Sequence, residues 1–382
     1  MPLTEREARA LLVMTRGIGW ATRERALSAA GSALALAGEP KAYEKELTPS
    51  GVSAFRASLR DAQRLIDSLQ AYTLLIPGDE GYPQRLAATI RPPHLLFVRG
   101  AASLDDPLPV AVVGTRDATA YGLKHTRRIA RELAQGGACI ISGLALGVDA
   151  QAHEGALDVH GRTIAVLGGG HEQFYPEQNR PLMERILAQG GSVISEYPPQ
   201  MQPGRYTFLD RNRIIAGLSL GVLVTEAPAR SGALTTANIA LDEGREVFAL
   251  PGSVENPKSV LPHQLIADGA RLVTCGQDIL SCVVVERQTP GVRPVRIRRA
   301  VIKPAVPAVP QPEAEASAPR RMPEGLSPAG QAVYEALCGG EMDFDALCER
   351  TGVAADALGS ELTMLELDGV IDALPGLRYV LA

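Results

Sequence analysis

The sequence is poor in the features that mark several large protein classes. Its five cysteines, Cys139, Cys275, Cys282, Cys338 and Cys348, are odd in number and scattered, with no CxxC pair. That spacing gives neither a disulfide framework nor a zinc site. Six histidines are dispersed, without an HExxH or similar pair, so no metal is expected. No apolar run approaches the roughly 20 residues that span a bilayer. The first residues, MPLTEREARA, are charged and lack the apolar core of a signal peptide, so a cytoplasmic protein is expected. A Walker A motif is absent. The first glycine turn, Gly114-Thr115-Arg116-Asp117-Ala118, is not GxGxxG, and an arginine fills the space a pyrophosphate needs. No nucleotide cofactor is expected.

Net positive charge is also lacking. The formal charge is −5, yet residues 324–382 hold eleven Asp/Glu against Arg350 and Arg378, a net of −9, which leaves +4 on the rest. The basic charge therefore lies in the body and the acidic charge in the tail.

What is present is a long α/β pattern. Residues 1–70 read as a helical module, with Gly17-Ile18-Gly19 between two helices. This is either a helix-hairpin-helix turn or a plain tight turn in an accessory module. Short strands over 73–76 and 94–99 are expected at one edge of a central sheet. From Pro109, strands alternate with helices: strands over 110–113, 139–141, 163–167, 193–196, 222–226 and 246–250. This predicts an extended Rossmann-like, doubly wound parallel sheet over 71–285, its strand-end loops on one edge. Residues 286–323 are a basic and then Pro/Ala-rich linker. Residues 324–382 read as three helices and a small hairpin, an acidic winged helix.

The strand ends carry the chemistry. Gly114-Thr115-Arg116 closes the first long strand. Ser142-Gly143, Gly168 and Ser231-Gly232 close others. Glycine turns admit a ligand backbone, and guanidinium groups bind phosphate. Arg211-Asn212-Arg213 precedes an apolar run, where the two arginines either meet an anion or pair with Glu196 or Glu226. Asp149 and His153 stand four apart on one helix. They are an acid–base pair only if a nucleophile or metal stands beside them; otherwise Asp149 braces its loop and His153 is a satisfied helix residue. Aromatic residues are 4% of the chain, with Phe174 and Tyr175 nearest the loops, so backbone contacts should dominate any nucleic-acid binding.

Ordered along the chain, VAVVGTRDATAYG, ISGLALGVDAQAHEGAL, TIAVLGGG, YPEQN, SEYPP, RNRIIAGLS, VTEAPARSGALTTA, REVFALPGS and HQLIADGARLV resemble the DNA-processing protein A (Smf) family. The resemblance is dense over 109–278 and looser at both ends. It implies a non-enzymatic protein that binds single-stranded DNA, forms homodimers and loads the RecA recombinase in natural transformation. It also implies a DNA pocket at Gly114, Thr115, Arg116, Ser142, Gly143, Tyr175, Asn179, Arg180, Arg211, Asn212 and Arg213. Arg180 stands where many members have lysine, which keeps the charge but alters contact geometry. A dimer or recombinase surface is implied at Leu241, His263 and Leu272. The alternative is a nucleoside-monophosphate phosphoribohydrolase, whose pattern GGxGTxxE needs a catalytic Glu where this chain has Asn238.

Overall fold

The computed structural model describes residues 3–101, 103–288, 326–367, 370–374 and 378–381. The chain forms two compact units, Met1–Ile302 and Lys303–Ala382. Most of the basic run and the whole Pro/Ala-rich segment, residues 289–325, lie outside the described residues. No helix among the described residues is long and apolar enough to cross a membrane.

The first unit is built on nine strands: β1 (Thr73–Leu75), β2 (Leu96–Gly100), β3 (Pro109–Val113), β4 (Cys139–Ser142), β5 (Thr163–Val166), β6 (Ser192–Ser195), β7 (Gly221–Val224), β8 (Glu246–Ala249) and β9 (Arg271–Leu272). Their spatial order is β1-β2-β6-β5-β4-β3-β7-β8-β9. β1 pairs antiparallel with β2 and β2 with β6; the other pairs are parallel. The β3–β8 strands are buried throughout, as expected of β-branched runs covered on both faces. Along β3, Ala111 and Val113 enter one core while Val110 and Val112 enter the other, the period-two alternation of a strand.

The chain winds outward from β3 through β4 and β5 to β6. It then returns by the Arg205–Leu218 helix to β7 on the opposite side of β3. The direction of winding reverses between β3 and β7. A crevice outside the strands' C-terminal ends is the usual ligand site at such a point. Neither that helix nor the exposed edge strand β9 was legible in the sequence.

The N-terminal helices surround Leu11, Leu12, Leu36 and Phe55. The Glu5–Met14 helix starts on a Thr4–Glu7 capping box, and its Ala10 and Val13 pack on Ile76, Leu95 and Phe97 at the β1–β2 edge. In the Gly17-Ile18-Gly19 turn Ile18 is buried and its carbonyl accepts from Arg23 Nε at 2.9 Å. The second unit holds helices Pro328–Leu337, Phe344–Thr351 and Ala355–Leu367. A three-stranded sheet joins them, with β10 (Met342–Asp343) between the first two helices and β11 (Ile371–Leu374) and β12 (Arg378–Leu381) after the third; the spatial order is β10-β12-β11. Val333, Leu347, Leu358, Leu362 and Ile371 form its core.

Three buried histidines are held neutral. Burial pushes His94 down to about 4, against its hydrogen bond to Glu24; it pushes His153 down to about 3 and His171 down to about 4. Unfolding exposes them to protonation near their ordinary value, so stability is full above about pH 6.5 and is lost as pH falls through that window. Between pH 7 and 5, urea unfolding should show stability falling by up to ~1.4 kcal/mol per pH unit for each such histidine. A flat profile would show that they are not held neutral.

Candidate functional site

The β3 turn is fastened from beneath by a buried carboxylate. Glu226, just past β7, accepts from the Thr119 amide (2.8 Å), the Thr119 hydroxyl (2.6 Å) and Asn256 Nδ2 (2.9 Å). Its carbonyl accepts from the Thr115 N–H at 2.6 Å. That amide is committed internally, so the turn's outward group is the Arg116 guanidinium. Arg116 is exposed and has no ion pair among the described residues; its Cζ lies 4.8 Å from the centre of the Phe208 ring. Tyr175, 55% exposed, lies with its ring centre 6.0 Å from that of Phe208. Gly168, after β5, packs against Phe208, while Arg180 stacks on Phe174 at 5.6 Å and pairs with Glu177. Arg116, Phe208, Tyr175 and Gly168 thus come together just past the ends of β3 and β5, the candidate groove.

Arg211 and Arg213 do not stand at a strand-end loop. They lie within the Arg205–Leu218 helix, 4% and 8% exposed. Arg213 forms an ion pair with Glu196 and donates to the Arg91 carbonyl at 2.6 Å, with Asp210 at 3.6 Å. Burial pulls its pKa down, but Glu196 and Asp210 outweigh it and hold Arg213 above the ordinary guanidinium value. Arg211 Nη1 donates to the Val166 carbonyl at 2.8 Å, at the end of β5. Burial, offset in part by Asp149, leaves its pKa lowered. These guanidiniums support the groove from behind. Asn212 Nδ2 donates to the Gly232 carbonyl at 3.2 Å and steadies the turn after β7, where the Ser231 hydroxyl caps the Gly232–Asp242 helix.

The loop after β4 is likewise held by inward-facing residues. Ser142 Oγ donates to the Val112 carbonyl at 2.6 Å. Asn179 Nδ2 donates to the Leu144 and Ala145 carbonyls at 3.0 and 2.9 Å. Both are buried. A Cβ on Gly143 would overlap the Arg211 guanidinium, so only glycine lets the loop close over it. Gly147 has φ 75° and a Cβ there would stand 2.5 Å from the Thr115 and Arg116 carbonyls, which ties this loop to the β3 turn.

Asp149 accepts from the Ala145 N–H at 3.4 Å; burial raises its pKa, opposed by Arg211. His153 is wholly buried with Nδ1 2.7 Å from Thr163 Oγ1. Thr163 gives its own proton to the Ile140 carbonyl, so His153 is the donor in that contact. The pair is a brace and not an acid–base couple facing the groove. Asn238 lies half-buried within the Gly232–Asp242 helix, and its amide has no carboxylate to act as a base. At the far edge, Leu272 on β9 is 52% exposed, Leu241 packs partly into the core, and His263 contacts the Gly252 carbonyl at 3.0 Å.

A family model described as DNA recombination-mediator protein A matches residues 73–284, and one described as DprA winged helix domain matches residues 311–376. Protein Smf of Escherichia coli (strain K12) is 41% identical over 305 residues, 79% of this chain and 76% of its own. DNA processing protein DprA of Streptococcus pneumoniae (strain ATCC BAA-255 / R6) is 45% identical over 203 residues, 53% of this chain and 71% of its own. The solved structure of DNA processing protein A from Streptococcus pneumoniae superposes with a TM-score of 0.64 at 36% identity, covering 74% of this chain and 99% of that one. A structure of the Helicobacter pylori protein, described by its single-stranded DNA binding mode, gives 0.50 at 33% identity over 56% of this chain and 96% of that one.

The two kinds of arginine should separate on mutation. Arg211→Ala removes the donor to the Val166 carbonyl and the positive charge near Asp149 from a packed site, and should cost about 2 kcal/mol or more of stability. Arg116→Ala removes an exposed group and should change stability by less than about 0.5 kcal/mol. Denaturant midpoints of the two variants check this; equal midpoints would contradict the assignment.

Proposed function

The chain belongs to the DNA recombination-mediator protein A family, and from that premise we propose that it binds single-stranded DNA along the groove over β3 to β5. The observation that carries this reading is Arg116, an outward guanidinium without a carboxylate partner among the described residues, seated on Phe208, whose ring also meets that of the exposed Tyr175. A cation beside exposed rings suits a phosphate followed by a stacked base. The glycines at 114, 143 and 168 let the loops pack closely against Glu226, Arg211 and Phe208, and Gly232 is exposed at the turn after β7. Ser231 and Gly232 extend the path beyond β7. Ser142, Asn179, Arg211, Asn212 and Arg213 set the loops from within.

The fate of the bound strand is the further part of the proposal. The protein acts as a homodimer that shields incoming single strands and hands them to the RecA recombinase in natural transformation. The family membership supports this, together with the exposed apolar residues Leu272 and Val260, the latter 42% exposed. Leu241 and His263 are assigned to the same proposed surface. A dimer would present two grooves and raise avidity through effective concentration.

The acidic unit is assigned a protein partner. A groove-reading helix needs Arg, Lys, Asn or Gln on its face, and Ala355–Leu367 has none of these. Bringing a module of net charge −9 to a duplex would meet repulsion at every phosphate.

Fluorescence anisotropy with a labelled oligonucleotide over a salt series tests the groove. Arg116→Ala should weaken binding and flatten the log–log salt dependence by about 0.7, one phosphate contact. Unchanged affinity and slope would remove Arg116 from the site. Deleting residues 324–382 should leave single-strand affinity the same or slightly higher. Loss of most binding on that deletion would give the acidic unit a direct DNA role.

A further inference from the structure

A second ring stands on the helix that carries Phe208. Tyr206 is 46% exposed, two residues before Phe208 in the first turns of Arg205–Leu218. Residues two apart project to different sides of a helix. Phe208 faces Gly168, Tyr175 and Arg116. Tyr206 shares a helix face with Asp210, four residues on, whose carboxylate pairs with Arg91 on the side of the N-terminal helices.

That neighbourhood is layered and fixed. The Arg91 guanidinium lies 5.2 Å over the Trp20 ring and pairs with Asp210 at 2.9 Å. Trp20 Nε1 donates to the Pro92 carbonyl at 3.0 Å, and its ring lies 5.0 Å from that of His94. Arg213 clamps the Arg91 carbonyl. Tyr206 stands beside this fixed layer while nearly half its surface faces solvent. A ring set beside a fixed layer loses little freedom when a partner stacks on it.

We propose that Tyr206 is a second stacking platform for a base of single-stranded DNA, outside the Phe208–Tyr175 groove and backed by the Arg91–Trp20 layer. The inference rests on the DNA-binding reading above and adds a residue and a direction: the strand leaves the groove over the first turn of the crossover helix, toward the N-terminal helices. An oligonucleotide that only fills the groove does not reach Tyr206; a longer one does.

Trp20, the chain's single tryptophan, reports from that layer. The test compares oligothymidylates of about six and about twenty nucleotides, by anisotropy and by Trp20 emission, for the full chain and for Tyr206→Ala and Tyr206→Phe. The expected result has four parts. The full chain binds both lengths. Only the longer one changes Trp20 emission. Tyr206→Ala weakens the longer one roughly tenfold, the scale of one stacked base, and leaves the shorter one unchanged. Tyr206→Phe, which keeps the ring and loses the hydroxyl, retains most of the affinity. Unchanged affinity of Tyr206→Ala for the longer strand overturns the platform, as does an equal loss at both lengths or a Phe variant as weak as the Ala one. Failure of the full chain to bind either length is a different result: it overturns the groove reading itself, and the platform falls with it.

Discussion

The burial of two arginines on one helix is the constraint on which the site depends. A guanidinium removed from water is costly unless its charge and its donors are met. Arg213 meets Glu196 beyond β6, and Arg211 meets the Val166 carbonyl with Asp149 nearby. These partners sit at or just beyond the C-terminal ends of strands or in the loops that follow them. The crossover helix can satisfy both arginines in one register only. A slip of one residue would rotate both guanidiniums by about 100° out of their places. The pair therefore fixes where Phe208 falls, one turn before Arg211, and with it the position of the groove.

From that fixed helix the loops follow. Gly143 closes over Arg211, Asn212 holds the Gly232 carbonyl, and Phe208 supplies the ring beneath Arg116. Glu226 performs the corresponding task for the β3 turn with three donors on one carboxylate. The β3 turn that carries Arg116 and the helix that carries Phe208 are thus both held by buried polar groups. The arrangement spends its internal hydrogen bonds on holding loops still, so that few outward groups need ordering when a strand binds.

Sequence periodicity makes most of the sheet legible. The strands over 110–113, 139–141, 163–167 and 222–226 fall on β3, β4, β5 and β7 to within two residues at either end, because buried parallel strands are continuous β-branched runs. The glycine turns mark the strand ends for the same reason: only glycine tolerates the close approach at Gly143 and Gly147. The crossover helix is illegible because RYTFLDRNRIIAGL mixes aromatic, acidic and basic residues, and four of its inward positions, Thr207, Arg211, Asn212 and Arg213, are polar. Amphipathic reading assigns such residues to the surface. That is why Arg211 and Arg213 look like ligand groups in the sequence while the pairing with Glu196, the plainer reading, describes Arg213. Phe208 goes unnoticed as a site residue, although its spacing of three from Arg211 places both on neighbouring positions of one helix face. The two-residue β9 carries too short a pattern to register.

The chemistry available at the strand ends favours holding a ligand over transforming it. Groups that could move a proton are turned inward or already committed. His153 and His171 are buried and neutral, Asp149 is bonded to its own loop, and the Glu226 carboxylate is taken up by Thr119 and Asn256. General acid–base catalysis needs a titratable group within hydrogen-bond reach of the ligand. What stands at the surface there instead is the Arg116 guanidinium with the Phe208 and Tyr175 rings. Affinity built from such groups varies with salt far more than with pH, and it depends on phosphates and ring faces common to every base. A surface of that kind suits a strand of any sequence.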